Sequence, residues 1–188
     1  MKNYKNFNLL NENIETIFTT VNSTSNIDGL MTLGMKVNTR DEEGKTLLYY
    51  LATMMNKTDL FKHLLNNYNP DINLKYNDDK SIFFYSNIEI QMVLLERPDL
   101  DLNDDDFTQC IMFSSWFIIH KILDRYDVDL ELKVRKISLI EMIMDDLDND
   151  NTNNNTNNEY DVINLLKSKY KKSYDKYIRN KTAKKFKI

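Results

Sequence analysis

"GMKVNTRDEEGKTLLYYLA", residues 34–52, holds two of the chain's three glycines, ten positions apart around a polar, charged run. Gly34 follows an apolar segment and is expected to end a helix in the left-handed C-cap that only glycine adopts without a Cβ penalty. Gly44 is expected to supply the positive φ of a tight hairpin. Thr46 then stands where an N-cap is needed, its hydroxyl accepting from an otherwise orphan amide of "LLYYLATMM". The stretch therefore predicts helix, hairpin, helix.

Working outward, the apolar residues recur at three- and four-residue intervals in "IETIF" (14–18), "LMTLGM" (30–35), "LFKHLL" (60–65), "IEIQMVLL" (88–95) and "CIMFSSWFIIHKIL" (110–123). Three glycines and two prolines are too few for an antiparallel β architecture, so the fold class is all-α. At 188 residues and 41% hydrophobic content, the chain can bury a core. One cysteine, Cys110, excludes an internal disulfide, and there is no Cys/His spacing for zinc. Neither a signal peptide nor a membrane anchor is expected, and the reading is an intracellular, cytoplasmic protein, with the nucleus as the alternative.

The short helices are joined by short polar links, the pattern of helical hairpins stacked in an array. "LLNNYNPDIN" (64–73), "LLERPDLDL" (94–102) and "ILDRYDVDL" (122–130) share two aliphatics, a polar gap, Asp, an aliphatic, then Asn or Asp. Their anchors Ile72, Leu100 and Val128 are 28 residues apart at each step, and Val37 of "LMTLGMKVN" precedes Ile72 by 35. One supersecondary unit is repeated.

"LMTLGMKVNTRDEEGKTLLYYLA" resembles the junction between two ankyrin repeats. Gly34 matches the helix-ending glycine, Val37 and Asn38 the aliphatic-Asn step, Asp41, Gly44 and Thr46 the D-x-x-G-x-T element. Leu48 and Ala52 match apolar positions of the next helix, while Leu47 and Tyr49 replace the family's Pro and His. In this setting Val37 would bury under the stack and Asn38 lead into the hairpin. Residues 30–73 carry the resemblance, which thins to 130. The second copy lacks the hairpin glycine and offers Asn77 and Asp78 for the left-handed turn. The 28-residue step is shorter than the family's roughly 33 residues, implying a trimmed first helix or hairpin.

The resemblance implies an all-α, ankyrin-like solenoid of stacked helix-turn-helix units with short hairpin loops. A single repeat domain would span 1–170: a cap at 1–29 and units at about 30–72, 73–101, 102–130 and 131–170. In the last unit, "RKISLIEMI" echoes "GKTLLYYLA", and the polar "DNDNTNNNTNN" (148–158) would be a mobile loop. Residues 171–188 form a basic C-terminal tail.

Candidate chemistry is thin. "DLDLNDDD" puts Asp99, Asp101 and Asn103 at the first ligand positions of a calcium loop, but Asp104 and Cys110 stand where Gly and Glu are required. Asp148, Asp150 and Glu159 come closer, yet Asn153 and Asn155 replace the glycine and the apolar residue. Cys110, His120 and His63 lack a nucleophile elbow or oxyanion glycines and read as structural side chains. No phosphate-binding glycine loop exists. No catalytic, metal or cofactor-binding residue is assigned, and the chain is not expected to be an enzyme. Phe83, Phe84, Tyr85, Phe113, Trp116 and Phe117 read as core, with one or two left over as interface anchors.

Net charge is −4, but residues 166–188 carry nine Lys and one Arg against one Asp, so an acidic body bears a basic end. Lysines interleaved with Tyr170, Tyr174 and Tyr177 suit nucleic acid, through phosphates and base stacking. The same residues suit an anionic membrane or a nuclear-localisation patch. The bland alternative is a capping helix, since Ile163, Leu166, Tyr170, Tyr174 and Tyr177 recur at helical spacing.

By resemblance, the function is non-catalytic protein–protein interaction, with a regulatory protein bound on a concave hairpin and first-helix surface. The contact candidates are Arg40, Glu42, Lys45, Lys75, Tyr76 and Asp78, expected to be exposed on the hairpins. The composition and eroded consensus look like ankyrin proteins of large DNA viruses, parasites or amoebae, whose members commonly bind host regulators. No cofactor is implied, and a monomer is expected. The alternative function is nucleic-acid association through the tail, with Lys171, Lys172, Arg179, Lys184 and Lys185 as its contacts.

Overall fold

A computed structural model describes residues 14–113, 115–134, 137–149 and 157–185. The chain is mostly helical, with eleven helices and one two-stranded hairpin among the described residues. It divides into two compact units, Met1–Leu102 and Asn103–Ile188.

The first unit contains α1 (Ile14–Thr20), α2 (Thr24–Thr32), α3 (Leu47–Thr53), α4 (Thr58–Tyr68), α5 (Ile82–Tyr85) and α6 (Ile88–Leu95). Polar caps set most of these boundaries. Ser23, Thr46, Ser81 and Asn87 each accept from the amide three residues on, at 3.0–3.3 Å. Each such cap contributes about 1 kcal/mol. At the end of α2 the Gly34 amide donates to Met31 O (3.0 Å) and the Met35 amide to Leu30 O (3.1 Å). With Gly34 at φ +96°, this is a Schellman cap, as its position in the sequence suggests. α4 ends on left-handed Asn69, with Pro70 next in the chain.

Packing links like with like. α1 touches α3 and α3 touches α5, while α2 touches α4 and α4 touches α6. Phe18, Ile27, Leu47, Leu48, Leu51, Phe61, Leu64, Ile72, Phe83, Ile90 and Leu94 form the core. At roughly 1.5–3 kcal/mol per buried side chain, this burial outweighs the caps. Val37 is only half-buried, because the chain turns outward there into the hairpin, whereas Ile72 and Leu100 are buried.

Both hairpins of this unit have one geometry. In the first, the Asp41 amide donates to Lys45 O (2.9 Å) and the Gly44 amide to Asp41 O (3.1 Å). In the second, Tyr76 donates to Lys80 O (3.0 Å) and Asp79 to Tyr76 O (2.9 Å). Asp79, at φ +64°, therefore occupies the place of Gly44, at φ +76°. The expectation that Asn77 and Asp78 take the left-handed turn is one residue off: the register is set by Ser81, which caps α5 as Thr46 caps α3.

The second unit contains α7 (Asp104–Phe113), α8 (Trp116–Arg125), β1 (Lys133–Val134), β2 (Ile137–Ser138), α9 (Leu139–Asn149), α10 (Asn157–Ser168) and α11 (Lys171–Lys185). Here two reciprocal capping boxes start the first helices. Asn103 and Asp106 exchange side-chain-to-amide bonds at 2.9 and 3.0 Å. Ser138 and Glu141 do the same at 3.4 and 3.0 Å. α7 touches α9 and α8 touches α10, while α11 lies against both α9 and α10. Cys110, Ile118, Leu123, Val128, Leu130, Leu139, Ile143, Val162 and Leu166 fill the core.

The two 28-residue steps are built differently. Between Ile72 and Leu100 a hairpin is followed by the four residues of α5. Between Leu100 and Val128 the ten-residue α7 starts directly at Asp104. The cap expected at 1–29 does not end there, because α2 runs on to Thr32. Its residues 1–13 lie outside the described residues, as does most of the loop expected at 148–158. The stretch assigned to a basic tail is helical from Lys171 to Lys185.

The shared turn geometry yields a paired test by urea denaturation of the full chain. A Cβ on Gly44 would stand 2.4 Å from Asn77 Oδ1 at a left-handed φ, so Gly44→Ala is expected to lose about 1–2 kcal/mol. Asp79→Gly relieves the same backbone region and is expected to gain up to about 1 kcal/mol.

Candidate functional site

The two hairpins of the first unit are bonded to each other. Arg40 Nη2 donates to Lys75 O (2.9 Å) and its Nη1 to Gly44 O (3.3 Å). Asn77 Nδ2 donates to Glu43 O at 2.5 Å, over the face of Gly44 that carries no side chain. The hydroxyls of Thr46 and Tyr76 meet at 3.3 Å.

Asp41 organises the first turn: Oδ1 accepts from the amides of Glu43 (2.9 Å) and Lys45 (2.8 Å), and Oδ2 from Tyr50 OH (2.7 Å). Burial, then the Asp41 bond, pushes the Tyr50 phenol up. In the second turn Tyr76 replaces Asp41, and the hydroxyl of Tyr85, the counterpart of Tyr50, goes to Asp78 instead. That bond holds Asp78 below the usual carboxylate range, while Tyr85 is raised by burial first and the Asp78 bond second.

Under this frame lies an aromatic cluster. Ring centroids of Tyr49 are 4.9 Å from Tyr76 and 5.1 Å from Tyr85, and Phe84 is 5.3 Å from Tyr85. Tyr49, Phe84 and Tyr85 are half-buried. Lys80 Nζ sits 3.8 Å over the Phe84 ring and Lys45 Nζ 5.2 Å over Tyr49. Lys45 also pairs with Glu43, which raises its pKa. The result is a preorganised aromatic patch with charges of both signs at its rim.

The expected contact residues share these hairpins but not one environment. Glu42 is exposed; Arg40 is exposed with its guanidinium on two backbone carbonyls; Lys45 and Lys75 are half-buried; Asp78 is exposed and bonded to Tyr85. Tyr76 corrects the expectation of exposure. It is 7% exposed, because its ring turns in to Tyr49 and its hydroxyl to Thr46, and burial pushes its pKa up to about 12. Sequence reasoning missed Tyr49, Asn77 and Lys80. Aligning "TLLYY" with "SIFFY" on the two capping hydroxyls would have put Tyr49 beside Phe84. Of the aromatics read as core or anchor, Phe83 is core and Phe84, Tyr85, Trp116 and Phe117 are half-buried. The Phe113 side chain lies outside the described residues.

In the second unit, Lys169 Nζ donates to the carbonyls of Leu123, Asp124 and Tyr126 at 2.7–2.9 Å, capping the end of α8. Of the basic candidates, Lys171, Lys172 and Arg179 are exposed on α11, and the side chains of Lys184 and Lys185 lie outside the described residues.

Cys110 and His63 sit in structural settings. Cys110 is buried in α7. His63 of α4 reaches Asp28 of α2 through Nε2 (2.7 Å), and Asn67 Nδ2 faces His63 Nδ1 (3.2 Å), so Nδ1 accepts and Nε2–H donates. Tyr68 OH donates to the same Asp28 oxygen at 2.6 Å. Among the described residues no group of three or more His, Cys, Asp or Glu side chains could hold a metal ion, and no helix is long and apolar enough to cross a membrane. Comparison with protein-family models, curated proteins and solved structures finds no match.

The Tyr68 and His63 bonds hold the Asp28 carboxyl below its ordinary 3.8. A depressed carboxylate stabilises the fold above its unfolded pKa and loses that contribution as pH falls through the lower folded value. Asp28→Asn is thus expected to lower the urea midpoint at pH 7, with the gap from wild type closing below about pH 4. Denaturation curves from pH 7 to 3 check this; a gap that stays constant contradicts it.

Proposed function

We propose that the chain is a non-catalytic protein-interaction module built of divergent ankyrin-like helix pairs, binding a regulatory protein through the hairpins and first helices of its N-terminal unit. The observation that carries this reading is the half-buried Tyr49–Phe84–Tyr85 patch, held rigid by bonds between two hairpins. Aromatic anchors in preordered surroundings are what dominate protein interfaces, since little side-chain entropy is lost on binding. The alternating contacts α1–α3–α5 and α2–α4–α6 support a stack of such pairs. The carboxylates and phenols nearby are engaged in turn and helix bonds, which is the arrangement of a scaffold.

Full-length protein serves as bait at high salt, with retained proteins identified by mass spectrometry and their affinity measured. Phe84→Ala, with unchanged helical circular dichroism, is expected to weaken binding at least about tenfold, or ~1.4 kcal/mol. Glu42→Arg is expected to weaken it further. Partners retained equally by both variants would contradict the reading.

A further inference from the structure

The helix α11 presents two different faces. Tyr170, immediately before it, is buried: its hydroxyl donates to Tyr126 O (2.7 Å) and accepts from the Val128 amide (3.1 Å). Tyr174, one turn further on, is half-buried, and Tyr177, two turns on, is buried. These rings share the side that packs on α9 and α10. On the opposite side Lys172, Lys176 and Arg179 follow at four- and three-residue spacing, with Lys171 beside them, and all four are exposed. Lys176 pairs with Glu131. Lys171, Lys172 and Arg179 carry no ion pair among the described residues.

We propose that this outward face of α11 docks on the phosphate backbone of a nucleic-acid duplex, binding by charge without reading bases. A duplex offers one negative charge per about 1.7 Å of axis, and the seven helical rises from Lys172 to Arg179 span roughly 10 Å, so the stripe meets several phosphates at once. A protein partner would need an apolar anchor; the stripe's neighbours Asp175, Thr182 and Ala183 offer none, and Ile178, 38% exposed, lies off the Lys172–Lys176–Arg179 line on the Lys171 flank. A membrane-surface helix needs an apolar face to embed, and that face of α11 is already taken by α9 and α10. Single strands are held by stacking on aromatic rings. Here Tyr170 and Tyr177 are buried and Tyr174 is half-buried, which favours the duplex.

The test is fluorescence anisotropy of the full chain with a labelled 20-base-pair duplex. Three phosphate contacts give a log–log salt slope near −2.7, so affinity is expected to fall about 40-fold between 50 and 200 mM salt. Lys172→Glu with Arg179→Glu removes two contacts and is expected to reduce the slope to about −0.9, with circular dichroism unchanged. Lys62→Glu, an equal charge change per site at an exposed position of α4, is expected to leave binding as it was. Duplexes of unrelated sequence should bind alike. No binding at 50 mM salt, or indifference to the α11 substitutions, overturns the proposal. So does tighter binding of single-stranded DNA, polyglutamate or phosphatidylserine vesicles than of the duplex.

Discussion

Two asparagines, Asn38 after Val37 and Asn73 after Ile72, tie successive turns of the first unit to one another. Asn38 Oδ1 accepts from the Asp71 amide (3.1 Å), and Asn73 Oδ1 accepts from the Asp101 amide (2.9 Å) while its Nδ2 donates to Asp99 O (2.7 Å). The helices between them cannot stand alone. α5 has four residues and α3 seven, far below the length at which isolated helices form in water. Every orphan amide and carbonyl at their ends must find a partner outside the helix. The capping hydroxyls satisfy some, and the stacked turns satisfy others. Stability in this unit therefore comes from neighbours meeting in register, with the Asn contacts and the Arg40 and Asn77 bridges keeping that register.

Much of this was legible because it depends on residue types with few alternatives. Gly34 and Thr46 occupy positions where backbone sterics and an unpaired amide leave little choice, and their roles follow from spacing alone. The anchors Ile72, Leu100 and Val128 were readable because aliphatics in otherwise polar turns have no reason to be there unless buried. Asp79 was not legible in the same way: aspartate tolerates the left-handed region, so Asn77, Asp78 and Asp79 compete as equals until Ser81 sets the register. Nor does a 28-residue step say how it is built. Only the fold distinguishes a four-residue α5 with its hairpin from a ten-residue α7 without one.

The surface was harder to read, and tyrosine is the reason. Its ring belongs in a core and its hydroxyl wants a polar partner, so its environment depends on what lies within reach. Tyr76 sits in a charged loop yet turns inward, because Thr46 offers its hydroxyl a partner and Tyr49 its ring. Tyr170, amid lysines, turns inward for the carbonyls of Leu123 and Tyr126. Each inward ring changes what the surface can offer: an aromatic patch at the hairpins, and a lysine- and arginine-rich face on α11.

The exchange of the Asp71 and Asp101 backbone amides with solvent, read by NMR in the intact protein, tests the turn-to-turn register most directly. Both residues are exposed on turns. Both amides are nonetheless expected to be protected, with Asn38→Ala releasing Asp71 and Asn73→Ala releasing Asp101. Exchange of both at the rate of an open loop in the wild-type protein would contradict it, and the turns would then be connections between helices rather than what holds them together.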